Sequence, residues 1–242
     1  MAPLVLEGIS HTYAQQPALH NVTVAFPGNK VTAVLGKSGS GKSTLLQVLN
    51  GMIRPAQGKV FFLNLPFDYA AADALRLRMG YVIQGVGLFP HLTVERNILL
   101  GTRLQNLSAQ QPEARMDSLM TKMNLPLAYK QKYPFELSGG EQQRVGICRA
   151  LLHNPPVLLM DEPLGALDAI TREDIQHEIL QLQKTEQRTI IIITHSPQEA
   201  AALADYILVL DEGRVLQFDT KENVLQRPVN TLVQRLTSTQ AS

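Results

Sequence analysis

The chain reads as an α/β fold, in which a mainly parallel sheet carries a smaller antiparallel β part and a helical insertion. Continuous apolar runs rich in β-branched residues recur at Val31–Leu35, Val157–Met160, Ile190–Ile193 and Ile207–Leu210. Runs without alternation suit strands buried on both faces, as in a parallel sheet. Helical patterns lie between them, at Lys42–Asn50, Gly140–Leu152 and Ala166–Lys184. Strand and helix alternation of this kind places a ligand site at the carboxyl ends of the strands.

The opening segment differs. Leu4–Tyr13 and His20–Phe26 read as strands separated by a short loop, with Gly58–Leu63 as a third, and these form the expected antiparallel part. From Thr93 to Tyr129 the pattern is helical and polar, with Pro112 and Pro126 as breaks. The expected division is a core of residues 1–92 and 157–242, antiparallel part included, and a helical subdomain of about 93–156. After Pro228 the spacing predicts one amphipathic helix and a frayed end, Ser238–Ser242.

Composition narrows the class. With 242 residues, 45% of them hydrophobic and 18% charged, the chain suits one large domain or two small ones and excludes collagen-like and disordered classes. A formal charge of +1 predicts no electrostatic footprint for nucleic acid or anionic lipid, so any membrane contact is expected through a protein partner. The single cysteine, Cys148, rules out an intrachain disulfide and reads as a small buried apolar residue. The first residues lack a basic stretch followed by an apolar core, and no apolar run approaches the roughly 18 residues of a membrane span. A cytosolic chain is expected.

The strand Val31–Leu35 runs directly into Gly36, Lys37, Ser38, Gly39, Ser40, Gly41, Lys42, Ser43 and Thr44, followed by a helical pattern. This is the GxxxxGK[ST] phosphate loop in its required strand-loop-helix setting. Its glycines let successive N–H groups face one point at the positive end of a helix. Lys42 is expected on the β- and γ-phosphates and the Ser43 hydroxyl on Mg²⁺. A flexible Gly/Ser turn before a helix is the plainer alternative.

Asp161 and Glu162 end the apolar strand at Val157–Met160, where an unpaired carboxylate would be costly. Asp161 suits the metal shell and Glu162 suits polarising the attacking water, since phosphoryl transfer needs positioning and charge stabilisation. Two solvated acids before Pro163 would also account for the pattern. His195 ends the strand Thr189–Thr194 and is expected to sense the γ-phosphate, whereas His11, His20, His91, His153 and His177 read as surface or satisfied core residues. Gln84 follows the predicted strand Met79–Ile83 and could contact Mg²⁺ or the attacking water.

Leu137, Ser138, Gly139, Gly140, Glu141, Gln142, Gln143 and Arg144 form the most specific segment. Ser138 and Glu141 satisfy a capping box. A cap alone does not require two glycines, which leave bare N–H groups at a helix start and so make a second anion site.

Together these motifs resemble, in order and spacing, those of the ATP-binding-cassette ATPases, and the resemblance covers nearly all of the chain. It implies a P-loop NTPase-type fold, ATP and Mg²⁺ as ligands, and Ser43, Gln84 and Asp161 around the metal. It also implies that Tyr13 stacks on adenine, although a tyrosine after a strand is otherwise simply half-buried. In that family two copies pair head to tail, so that Ser138 and Gly140 of one meet the nucleotide on the phosphate loop of the other. Leu164–Asp168 resembles the loop linking the two sites, with Gly165 where the family often has serine. The segment after Gln84 resembles the surface that docks membrane permease subunits, Gly85–Arg96 above all.

The stretch Gly80–Glu95 looks like that of osmoprotectant importers carrying glycine betaine, choline or carnitine. The resemblance therefore implies an extracytoplasmic substrate-binding protein and a peripheral location on the cytoplasmic face of the membrane. Importers of that kind often carry a regulatory domain after the core, which the residues after Pro228 are not expected to form. The alternatives are an importer ATPase for another small solute, a soluble cassette ATPase of DNA repair, chromosome organisation or translation, a P-loop kinase or GTPase, and a binding module without catalysis. No long coiled coil or tandem cassette supports the soluble ATPase, no guanine-specifying N-K-x-D supports a GTPase, and Lys42, Asp161, Glu162 and His195 are all present.

Overall fold

The structure is a computed structural model that describes residues 2–14, 16–104 and 110–238. The chain begins with β1 (Leu4–Tyr13), β2 (Gln16–Phe26), β3 (Val31–Leu35), α1 (Lys42–Leu49), β4 (Gln57–Phe62), β5 (Leu65–Pro66) and α2 (Ala72–Arg76). It continues through β6 (Met79–Val82), α3 (Val94–Ile98), α4 (Gln110–Lys122), α5 (Gly139–Leu151), β7 (Val157–Asp161) and α6 (Ala169–Thr185). Then follow β8 (Thr189–Ile193), α7 (Pro197–Leu203), β9 (Tyr206–Asp211), β10 (Arg214–Thr220), α8 (Lys221–Gln226) and α9 (Thr231–Thr237). Residues Met1–Arg76 and Arg188–Ser242 make one compact unit, and Leu77–Gln187 make a second.

In the first unit, β2, β1, β4 and β5 form an antiparallel sheet in that order. Leu4 lies opposite both Phe26 and Phe62, and all three are buried. The inward residues of β1 are Leu4, Leu6 and Ile9, one step out of strict alternation. The register shifts between Leu6 and Ile9, where Gly8 has φ +62°, so a bulge returns Ile9 to the core face. β2 begins at Gln16, earlier than the sequence predicts, because the exposed Gln16 and Pro17 still pair with β1 as far as Tyr13.

The parallel strands of this unit are β9, β3 and β8, with β3 in the middle, and every residue of β3 and β8 is buried. β10 was not foreseen from the sequence. It pairs antiparallel with β9 through a tight hairpin in which Glu212 (φ 46°) and Gly213 (φ +73°) are both left-handed, as a two-residue turn of this hand requires. The helix after Pro228 is α9, capped by Asn230. Of the expected frayed end, residues 239–242 lie outside the described residues.

The second unit pairs β6 with β7 in parallel. Met116, Leu119, Met120 and Met123 from α4 and its end, and Val145, Ile147, Cys148 and Leu151 from α5, supply much of its buried apolar surface. Pro112 does not break a helix: it is the third residue of α4, in the first turn, where its missing N–H has no intrahelical acceptor to serve. Pro126 precedes a 3₁₀ turn at Leu127–Gln131. α6 starts at Ala169, later than predicted, because Asp168 adopts an extended backbone and caps it by accepting from Thr171 N–H at 3.0 Å. Among the described residues no helix is long and apolar enough to cross a membrane.

Candidate nucleotide site and signature helix

The phosphate loop lies in the first unit, at the carboxyl end of β3. Gly41, at φ +100°, caps α1, and a Cβ there would stand 2.4 Å from the Ala18 carbonyl oxygen. At Gly36 a Cβ would meet the Leu210 carbonyl oxygen at 2.2 Å. Side chains are therefore excluded at both ends of the loop. Between them the Lys42 ammonium donates to the Gly36 and Lys37 carbonyls, each at 2.8 Å, so that the lysine spans the loop from inside. Ser40 Oγ is buried without a hydrogen-bond partner among the described residues, and its carbonyl accepts from Gly213 N–H at 2.9 Å.

Two other predicted residues come to this part of the first unit. β8 runs beside β3, with Ile193 opposite Val34 and Thr194 N–H donating to the Val34 carbonyl at 3.2 Å. His195 is therefore exposed at the same carboxyl end of the strands as Gly36. Thr194 fixes the turn that follows: its hydroxyl meets Glu199 Oε2 at 2.5 Å and accepts from Ser196 N–H at 3.0 Å. The half-exposed ring of Tyr13 stands edge-on to His11 at 4.8 Å, and its hydroxyl donates to Gln47 Oε1 of α1 at 3.3 Å.

The carboxylates lie in the second unit. Asp161 is the buried last residue of β7, and Glu162 follows it at φ 44°. A left-handed glutamate costs on the order of 1–3 kcal/mol and persists only where its surroundings impose it. The Gln84 amide donates to Glu162 Oε2 at 3.2 Å, joining two predicted residues far apart in sequence. Burial, then the Asp161 carboxylate, pushes the Tyr81 hydroxyl up to about 12, so it stays protonated.

The signature also lies in this unit, at the start of α5. Ser138 Oγ accepts from Glu141 N–H at 3.3 Å, and Glu141 Oε2 accepts from Ser138 N–H at 2.7 Å. This is the reciprocal cap read from the sequence. Burial pushes the Glu141 carboxyl up, but the bonds to Ser138, the Lys132 charge and a hydrogen bond from Tyr129 together leave the group below its ordinary value. Gly139 is open, with nothing within 4 Å of a built Cβ, whereas a Cβ on Gly140 would lie 2.3 Å from Thr171 Cγ2 of α6. The N–H groups of Gly139 and Gly140 precede the first intrahelical bond and point out of the helix start.

The protein-family profile for ABC transporter matches residues 19–165, from β2 through the phosphate loop and signature to the loop after Glu162. The chain belongs to the ABC transporter family. This family member is 40% identical to the choline transport ATP-binding protein OpuBA of Bacillus subtilis over 96% of its own length and 61% of that protein's. It is 39% identical to the glycine betaine uptake system ATP-binding protein YehX of Escherichia coli, over 94% of its own length and 74% of that protein's. It thus spans about three fifths of OpuBA. Among solved structures, the dimeric post-hydrolysis state of the ATP-binding cassette MJ0796 with ADP and Pi superposes with a TM-score of 0.81 at 30% identity, covering 90% of this chain and 98% of that one.

Other groups in this ABC family member were not visible in the sequence. Glu178, buried in α6, accepts from Arg144 Nε at 3.1 and 2.9 Å and from Asn124 Nδ2 at 2.8 Å. The only signal was a carboxylate in an apolar stripe with Ile175, Ile179 and Leu182. A groove of about 460 Å³ is lined by Leu92, Glu95, Arg96, Leu99, Leu100 and Thr102, within and just beyond the stretch expected to meet a membrane partner. His153 departs from the satisfied histidine expected: its Nε2 is buried with no hydrogen-bond partner among the described residues, and burial lowers its pKa. Burial also pushes the Cys148 thiol up, which makes it an unreactive packing residue as expected.

Proposed function

We propose that this chain is the ATP-hydrolysing, nucleotide-binding subunit of an ABC importer, with quaternary-amine osmoprotectants as its cargo class. The observation that carries the hydrolytic reading is Glu162, held left-handed directly after a buried aspartate and hydrogen-bonded to Gln84. The loop N–H groups of residues 36–44 and the Lys42 ammonium bind the phosphates, and Tyr13 stacks on the base. The fit is supported by a loop too tight for side chains at Gly36 and Gly41, with a buried Ser40 hydroxyl turned into it.

Mg²⁺ would supply charge neutralisation on the phosphate oxygens. Ser43 Oγ, the Asp161 carboxylate and Gln84 Oε1 would hold it. That set consists of hard oxygen donors, and Gln84 keeps its Oε1 available while its amide nitrogen serves Glu162. Glu162 accepts a proton from the attacking water, and His195 donates a hydrogen bond to the γ-phosphate and so reports its presence. Ser138, Gly139, Gly140 and Glu141 of a second copy close the nucleotide from the opposite side, and the loop Leu164–Asp168 links the two sites. Loss of the γ-phosphate removes the bridge, and the copies part.

The segment after Gln84, Gly85–Arg96 above all, receives an integral membrane permease subunit, with the groove at Leu92–Thr102 at its end, and this brings the chain to the cytoplasmic face of the membrane. An extracytoplasmic substrate-binding protein supplies cargo. The names of OpuBA and YehX, a choline transport and a glycine betaine uptake protein, support the cargo class. Functionally the chain divides into a core of 1–92 with 157–242 and a helical subdomain of about 93–156. Steady-state release of phosphate from Mg-ATP by the purified chain tests the reading. Turnover that Glu162→Gln lowers by about 100-fold or more supports it, and equal turnover in wild type and variant contradicts it.

A further inference from the structure

We infer that Arg144 and Glu178 are positioning residues for the signature, holding the start of α5 in register with the segment that follows Glu162. This deepens the dimer reading above and rests on it. Glu178 is 4% exposed and Arg144 13%. Both Glu178 oxygens take hydrogen bonds from Arg144 Nε, and Oε1 takes another from Asn124 at the end of α4. Two helices and the turn that follows α4 therefore meet at one buried carboxylate.

The pair is half of a two-point contact between α5 and α6. Gly140 and Arg144 are four residues apart on α5, one helical turn, so they share a face. Their partners Thr171 and Glu178 are seven apart on α6, two turns, and also share a face. Gly140 meets Thr171 near both helix starts and Arg144 meets Glu178 further along, so the helices run side by side in the same direction. Gly140 and Thr171 each lie in the first turn of their helix, so the two first turns pack against each other. α6 begins seven residues after Glu162, and a shift of that segment on loss of the γ-phosphate is carried through α6 to the signature glycines. Apolar packing alone would permit sliding; two carboxylate oxygens sharing one N–H and its guanidinium fix the register.

The test separates position from stability. Replacing a buried ion pair with apolar side chains of similar volume is often neutral or stabilising, so Arg144→Met with Glu178→Leu is the informative double variant. Glu178→Gln, which strands the guanidinium, serves beside it. In the double variant we expect the melting temperature and the ATP Kd to match wild type, kcat to fall roughly 10- to 100-fold, and amide hydrogen exchange over residues 138–144 to quicken while residues 36–49 exchange as before. Wild-type kcat and wild-type exchange in the double variant overturn the inference, as does a joint fall of melting temperature, ATP affinity and kcat. A wild-type chain without turnover sinks the hydrolysis reading instead, and exchange over 138–144 then decides the positioning role by itself.

Discussion

The Gln84 side-chain amide donates to Glu162 Oε2 at 3.2 Å, joining the second residue after β6 to the first residue after β7. β6 and β7 are parallel neighbours with Val82 opposite Met160, so both loops leave the sheet at the same end. In the proposed mechanism the glutamine orients the carboxylate that takes the proton, and a positioned base contributes about 10²- to 10⁴-fold.

Gln84→Ala should therefore lower kcat by roughly 10- to 100-fold while the ATP Kd, set by the phosphate loop, changes little. Isothermal titration with a non-hydrolysable ATP analogue, set against steady-state turnover, separates the two. Gln84→Glu should be worse than Ala, because it places a second carboxylate beside Glu162.

Lys42→Ala removes the ammonium that bridges the Gly36 and Lys37 carbonyls. A hydrogen bond to a charged group is worth about 1.5–3 kcal/mol, so ATP affinity should fall at least about tenfold. Nucleotide-induced rise in melting temperature is the direct readout; an undiminished rise would remove Lys42 from the phosphate site.

Gly140→Ala would drive a methyl to within 2.3 Å of Thr171 Cγ2. Overpacking of this kind costs about 1–3 kcal/mol, read as a lower urea midpoint at unchanged slope. Adding Thr171→Ser deletes the clashing methyl and should recover most of the loss. Gly139→Ala, in open space, should be tolerated in stability.

Acid should expose the Glu186 cluster. The hydrogen bond from Arg115, against the upward push of burial and with help from Lys122, lowers the Glu186 carboxyl from 4.5 to about 2. Its folded pKa lies below the unfolded one, so its contribution is full above pH 4.5 and disappears as pH falls through about 2. The melting-temperature gap between wild type and Glu186→Gln should be constant above pH 5, in line with that shift, and should narrow steadily in more acid solution.

Much of this molecule was legible before the structure. Val31–Leu35 and Leu4–Tyr13 coincide with β3 and β1 because apolar runs bounded by turn residues leave few alternatives. The phosphate loop and the signature cap were equally readable, since each depends on local backbone chemistry within a few residues. What escaped was non-local. β10 has no fully buried residue and is held by a hairpin and by β9. The Gln84 to Glu162 bond spans 78 residues, and the partner of Glu178 lies on another helix. Sequence marks a carboxylate in an apolar stripe but not the cation that answers it.

Sedimentation velocity of the Glu162→Gln chain addresses the central claim that the triphosphate is gripped from both sides by two copies. At saturating Mg-ATP the account predicts a dimer, with monomer in ADP and monomer in both nucleotides once Ser138→Arg blocks the signature. A Glu162→Gln chain that stays monomeric in saturating ATP, or dimerises equally well in ADP, contradicts it.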